Sequence, residues 1–179
     1  MRNFSVAGEL PRYIVVGCNH GIQRREPISC FDDTTVVRQQ RSCFKDFLAG
    51  VIEQQGIEFI GEEWGCPQAT FAHALAAEHE IHYSNISTTC EDLKGPGIPA
   101  DYLSGNYADS QKKAWLRWRE GFMFGKIKKG QGDAQSVLVI CGFAHMNPIA
   151  DLLRRDCADV VIVDYRKTDW YQTGVFAED

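Results

Sequence analysis

Short apolar runs alternate with longer segments of helical spacing, and this alternation constrains the fold more than any other feature of the chain. The runs cover residues 13–16, 57–60, 81–86, 137–140 and 160–163. All but the third are almost continuously apolar, as expected of strands that are covered on both faces. The sequence therefore predicts an α/β fold with a mainly parallel sheet of about five strands and helices on both of its faces.

Helical segments are predicted between the runs. Gly56 stands where a left-handed cap would end the first helix, and Pro67 suits the first turn of the second. Asn147 and Pro148 are predicted to cap and open the last helix. The predicted helices cover residues 36–52, 67–79, 110–129 and 147–156.

Length and local composition define the domain organisation. The chain has 179 residues, which predicts a single α/β domain over residues 1–179. Residues 88–109 hold three glycines and two prolines without a clear period. A segment of this length is typical of a mobile lid or of a functional surface loop.

Charge and cysteine usage limit the partners and the compartment. The net charge of −5 gives no general electrostatic attraction to nucleic acid or to anionic lipid. No apolar run approaches the roughly 20 residues of a membrane span. The seven cysteines form no Cys-x-x-Cys pair, and no apolar signal core follows the N-terminus. We expect a cytoplasmic protein that acts on a small-molecule or peptide substrate, with its oligomeric state left open.

Residues capable of chemistry follow three of the predicted strands. His20 follows the first strand, Glu62 and Glu63 follow the second, and His145 follows the fourth. The carboxyl ends of parallel strands lie at one edge of a sheet, where such folds bind ligands. A lone histidine after a strand is more often structural, and a glutamate pair is more often a solvated surface feature. The occurrence of all three groups after apolar strands favours a site at this edge.

Two Gly-x-x-His motifs on either side of a glutamate pair resemble the pattern of a known superfamily. That superfamily joins the TraB and TIKI proteins, the ChaN-like haem-binding proteins and the erythromycin esterases. Arg119 is similar to an arginine that precedes the second motif in the TraB branch. The matching positions are Gly17 and His20, Glu62 and Glu63, and Gly142 and His145.

The resemblance implies more than one activity, because the superfamily includes a metal-dependent protease, esterases and a haem-binding lipoprotein. Its first implication is a hydrolase that cleaves an ester or amide with water activated by His20, His145 and Glu62 or Glu63. Its second is a protein that binds haem, a metal or a small anion without catalysis.

The residue types also allow a metal site. His20, His145, Glu62 and Glu63 offer mixed nitrogen and oxygen ligands for Mn²⁺, Co²⁺ or Zn²⁺, and haem is the less favoured cofactor. Neighbouring residues on an extended chain point in opposite directions, so Glu62 and Glu63 are not both expected to bind one ion. One of them would instead orient the other, a histidine or Arg119.

Three further residues have two interpretations each. Arg119 could clamp an anionic substrate group or stabilise an oxyanion, or it could be a solvated helix residue. Trp64 could form a pocket wall, although an aromatic residue at a strand end is more often core. Cys18 could be a nucleophile beside His20 or a small core residue. His79 and His82 are interpreted as structural, because they lie on both sides of a strand entry.

Overall fold

A computed structural model of the chain describes residues 10–25, 34–65, 70–102, 104–156 and 158–171. Its five strands form one sheet in the order β3-β2-β4-β1-β5, and every neighbouring pair is parallel. This confirms the predicted α/β fold. The strands are β1 (Arg12–Cys18), β2 (Phe59–Glu62), β3 (His82–Asn85), β4 (Ser136–Gly142) and β5 (Asp159–Asp164).

The first long helix begins and ends with recognisable capping residues. The Thr34 side chain accepts a hydrogen bond from the Val37 amide at the start of the longest early helix, and Gly56 ends it with a φ of 57°. That left-handed glycine is where the sequence predicts it. The helices are α1 (His20–Gln23), α2 (Thr35–Gln55), α3 (Phe71–Glu78), α4 (Cys90–Lys94), α5 (Asp109–Gln131) and α6 (Phe143–Arg155), followed by a 3-10 turn (Tyr165–Lys167).

The sheet has a hydrophobic core on each face. Alternate residues of β1 go to opposite sides: Ile14 and Val16 pack with α2 and α3, whereas Tyr13 and Val15 pack with α5 and α6. Burial of each such aliphatic side chain contributes about 1.5–3 kcal/mol. Because helices cover both faces of the sheet, residues on both sides of β1 and β4 are buried, and the sequences of these strands are almost continuously apolar.

The register of the three central strands places their carboxyl ends, which carry the sequence motifs, side by side. Cys18 at the end of β1 pairs with Gly142 at the end of β4, and Glu62 at the end of β2 pairs with Ile140. The helices that follow β1 and β4 pack on opposite faces of the sheet. Such a divergence between neighbouring strands opens the crevice in which open α/β sheets bind ligands.

The predicted start of the last helix is wrong. α6 begins at Phe143 with Gly142 as its capping residue, and Pro148 lies inside the helix. β4 therefore passes directly into α6, and Asn147 caps nothing. α3 begins at Phe71, where the Thr70 side chain accepts from the His73 amide. Pro67 lies outside the described residues.

The segment predicted as a long loop contains regular structure. Thr89 and Asp92 form a reciprocal capping box that begins α4. Leu93, Ile98 and Tyr102 are buried together and pack against the aromatic start of α5. Residues 88–102 thus have a small core of their own. None of the helices in the described ranges is both long and apolar enough to cross a membrane.

Candidate functional site

The five predicted site residues come from the ends of three central strands and from α5. His20 is the first residue of α1, Glu62 ends β2, Glu63 follows it, and His145 lies in the first turn of α6. Arg119 reaches Glu63 from α5. Glu62 and Glu63 are 0% and 1% exposed, so each requires polar partners inside the protein.

Glu63 has charged and backbone partners. Its Oε1 bonds to Nη2 of Arg119, and its Oε2 accepts from the Gly142 amide at 2.9 Å. Nε2 of His145 lies 3.7 Å from Oε1. These donors offset the cost of burying a carboxylate, and removal of one would leave a charge without compensation.

Within the described part of the chain, the hydrogen-bond partners of Glu62 are neutral groups on the opposite face of the sheet. Its Oε1 accepts from Nε2 of Gln23 at 3.0 Å, and its Oε2 accepts from the hydroxyls of Thr70 and Tyr83, each at 2.7 Å. Burial raises the pKa of Glu62 to about 7, against the lowering effect of these three hydrogen bonds. The two adjacent carboxylates therefore point in opposite directions, as the spacing on an extended chain predicts.

His20 and Glu63 border the same space beside Gly142. A Cβ atom at Gly142 would lie 3.3 Å from Nε2 of His20 and 3.6 Å from Oε2 of Glu63. The His20 ring packs against Trp64 with a centroid separation of 5.4 Å, and its Nδ1 lies 2.7 Å from Oε1 of Gln23. Because Gly142 has no side chain, a ring nitrogen of His20 and a carboxylate oxygen of Glu63 both come close to the same side of its backbone.

His145 lies between two acids and is buried. Its Nδ1 is 3.4 Å from Oε1 of Glu120, and its Nε2 faces Glu63. Burial raises the pKa of Glu120, while the His145 hydrogen bond and the charges of His145, Arg117 and Arg119 oppose that shift. His145 therefore lies between Glu63 and Glu120, and Glu120 belongs to none of the sequence motifs.

Several buried donors near the site have no hydrogen-bond partner within the described part of the chain. They are Nε of Arg119, Nε1 of Trp64 and Nε of Arg24. The Arg24 guanidinium lies 5.0 Å from the centre of the Trp64 ring. Unpaired buried N–H groups are costly in a folded protein. Here they are suited to a ligand rich in acceptor oxygens.

The arrangement does not fit a divalent metal. No group of three or more histidine, cysteine or acidic side chains that could hold an ion occurs within the described ranges. Glu62 turns toward Thr70 and Tyr83, whereas Glu63 is bonded to Arg119. The metal and haem sites therefore stay predictions from the sequence.

Other candidates have structural positions. Cys18 is fully buried among the residues of the α2-side core, which favours its interpretation as a small core residue. Trp64 is buried as well, but it contacts His20 and so forms part of the site wall. The His82 ring packs edge-on against Phe59, in agreement with a structural role.

Five supporting residues were not found from the sequence. The sequence does hold one indication for Gln23. Its spacing of three residues from His20 would place both side chains on one side of a helical turn. α1 itself was not predicted, so this spacing carried no weight. The others depend on contacts between distant segments and left no local pattern. The five are Gln23, Thr70, Tyr83, Glu120 and Tyr102, whose hydroxyl accepts from Nη1 of Arg119.

Comparison of the chain with protein-family models, with curated proteins and with solved structures finds no match. The likeness to the TraB, ChaN and erythromycin-esterase superfamily consequently stays a prediction from the motifs.

Proposed function

We propose that this protein is a hydrolase that cleaves an ester or amide bond with a water molecule held between His20 and Glu63. The observation that carries the proposal is the approach of Nε2 of His20 and Oε2 of Glu63 to the same side of Gly142, where any side chain would meet both. The position of this approach between β1 and β4, where the chain direction across the sheet reverses, also supports a ligand site. The resemblance to the esterase and TraB branches agrees with this class of reaction.

The reaction follows from the roles available to these side chains. Nε2 of His20 takes one proton from the water as its oxygen attacks the carbonyl carbon, while Oε2 of Glu63 accepts a hydrogen bond from the O–H that the attacking oxygen keeps. The carbonyl electron pair moves to its oxygen, giving a tetrahedral oxyanion. When this intermediate collapses, the departing alcohol or amine takes the proton from His20.

Arg119 and His145 have different supporting roles in this proposal. Arg119 holds Glu63 and offers its unpaired Nε–H to the oxyanion. His145, between Glu63 and Glu120, keeps the Glu63 carboxylate in place. His20 and Arg119 are only partly buried, whereas Glu63 and His145 are buried. The substrate would therefore contact the first pair.

The unpaired donors also favour a second candidate function, the binding of a small anion without turnover. Arg24, Trp64 and Arg119 supply N–H groups that a carboxylate or phosphate would satisfy. A cytoplasmic setting, expected from the sequence, would suit either function.

A panel of ester and amide substrates tests the hydrolase. We expect turnover by the native protein that falls by about 10²–10⁴-fold in His20→Gln, the range of a lost general base. The matched control is His79→Gln, which changes an exposed histidine and should leave turnover unchanged. Addition of a chelator should have no effect.

Two results would contradict the proposal. One is turnover in His20→Gln equal to that of the native protein, with both folded by circular dichroism. The other is stoichiometric binding of phosphate or a carboxylate, by calorimetry, in a protein that hydrolyses nothing in the panel. The latter would favour the anion-binding function.

A further inference from the structure

A buried chain of hydrogen bonds joins His20 to the Glu62 pocket through one side chain, Gln23. Gln23 Oε1 faces Nδ1 of His20 at 2.7 Å, and its Nε2 faces Oε1 of Glu62 at 3.0 Å. Gln23, Glu62 and Thr70 are all 0% exposed. The chain therefore lies in the protein interior, where polar geometry is strictly determined by partners.

The partners of Gln23 determine which way its amide points. Its Nε2 lies near Oε1 of Glu62 and, at 3.5 Å, near the backbone carbonyl oxygen of Glu63. A carbonyl oxygen can only accept, and the Glu62 carboxylate already accepts from Thr70 and Tyr83 at its other oxygen. The amino group of Gln23 must face these acceptors, so its carbonyl oxygen must face His20.

This orientation fixes the proton of the histidine ring. Because Oε1 of Gln23 can only accept, Nδ1 of the neutral ring must carry the hydrogen, and Nε2 is then its basic nitrogen. Nε2 is also the ring atom that lies 3.3 Å from the Cβ position of Gly142. The basic nitrogen thus lies on the side of Gly142 where the proposed function places the water.

We propose that Gln23 is a positioning residue that holds His20 in the Nδ1–H tautomer, and that Glu62 acts through Gln23 by fixing the direction of its amide. This inference rests on the proposed function for its catalytic meaning. It assigns the second carboxylate of the glutamate pair a role without contact with water or substrate. The tautomer itself is a property of the folded protein and needs no substrate.

The tautomer can be read directly. Two-bond ¹H–¹⁵N correlation spectra of protein labelled with ¹⁵N-histidine distinguish the two neutral forms, and His20→Gln identifies the His20 signals by their loss. We expect the Nδ1–H form in the native protein. In Gln23→Met, which keeps side-chain length but removes the amide, we expect a mixture of tautomers and a kcat lower by about 10–100-fold, with KM little changed.

Two further variants make the test specific. Gln23→Glu combined with Glu62→Gln exchanges the amide and the carboxylate, so that the carboxylate introduced at position 23 still accepts from His20 and the amide introduced at position 62 donates to that carboxylate. We expect this double variant to restore the Nδ1–H tautomer and most of the kcat. Gln54→Met, which changes an exposed glutamine on α2, is the control and should change neither measurement.

The failure of this inference and the failure of the proposed function give different results. An Nε2–H tautomer in the native protein, or an unchanged tautomer in Gln23→Met, would overturn the positioning role even in an active hydrolase. An Nδ1–H tautomer that is lost in Gln23→Met and regained in the double variant would support it even in a protein without turnover. If Gln23→Met does not fold, the native and double-variant spectra still decide.

Discussion

Glu62 and Glu63 are adjacent in the sequence, yet the protein compensates their burial in different ways. Glu63 faces the α5–α6 layer and is paired with Arg119, a backbone amide and a nearby histidine. Glu62 faces the α2–α3 layer and receives three hydrogen bonds from neutral groups. The comparison shows two ways to bury a carboxylate. Charged partners keep Glu63 in place, whereas neutral partners surround Glu62 and leave it to orient a neighbouring side chain.

The largest effect is expected from removal of the cation on the Glu63 side. Arg119→Met leaves a carboxylate that is 1% exposed without its ion-pair partner, and we expect the free energy of unfolding to fall by about 3–5 kcal/mol. Chemical denaturation measures this change. Arg117→Met, at an exposed position on the same helix, is the control. Equal stability of the two variants would show that Arg119 does not compensate Glu63.

The next largest effect is the pH dependence that Glu62 gives to the free energy of unfolding. Burial raises its pKa from 4.5 to about 7, so the folded protein binds more protons than the unfolded chain between these values. The free energy of unfolding therefore falls as pH rises through this window. Glu62→Gln removes this dependence, and the stability of the native protein relative to the variant should decline by on the order of 3 kcal/mol from pH 4.5 to 7.

Chemical denaturation at a series of pH values checks this prediction. The control is Glu78→Gln, which changes an exposed acid on α3 and should leave the pH profile as it is in the native protein. A native profile that runs parallel to that of Glu62→Gln throughout the window would contradict the account of Glu62.

A smaller effect is expected from one neutral donor. Tyr83→Phe removes the 2.7 Å hydrogen bond to Glu62, which favours the charged carboxylate. The pKa of Glu62 should rise further, and the free energy of unfolding should fall by about 1–2 kcal/mol above about pH 7, where the acid is ionised. The loss should be less at about pH 5. A loss that does not vary with pH would assign the tyrosine to packing alone.

The smallest change in stability is expected at Gly142, together with a large change in activity. The backbone there has a φ of −58° and a ψ of 149°, which alanine also adopts, so Gly142→Ala should alter stability by less than about 1 kcal/mol. Its methyl group would occupy the space between His20 and Glu63. We expect loss of turnover without loss of fold. Full activity in Gly142→Ala would show that the reaction does not take place beside this glycine.

The sequence predicted the sheet because a helix-covered strand requires an uninterrupted apolar run. It also predicted which residues meet at the strand ends, since topology alone brings the carboxyl ends of parallel strands together. Asn147 and Pro148 misled the prediction of α6 because they are common at helix starts. The chain instead turns at Gly142, so that β4 enters the helix at once.

The polar environment of the site could not be predicted from local patterns. Thr70 and Tyr83 meet Glu62 only because α3 and β3 pack beside β2, and neither residue type is unusual at such positions. α4 was also missed, since five residues are too few to show helical periodicity. Contacts between segments distant in sequence decide each of these features.

The contact between Tyr102 and Arg119 joins two parts of the protein that have separate cores. The Tyr102 hydroxyl accepts from Nη1 of Arg119, whose Nη2 bonds to Glu63. Residues 88–102 pack on α5 through their own small cluster. Local unfolding of this segment would break that cluster, the Tyr102–Arg119 hydrogen bond and the ion pair between Asp92 and Lys126. Hydrogen exchange should then show amides of residues 90–102 exchanging as a group before those of β4, and each opening would release Nη1 of Arg119 from the Tyr102 hydroxyl.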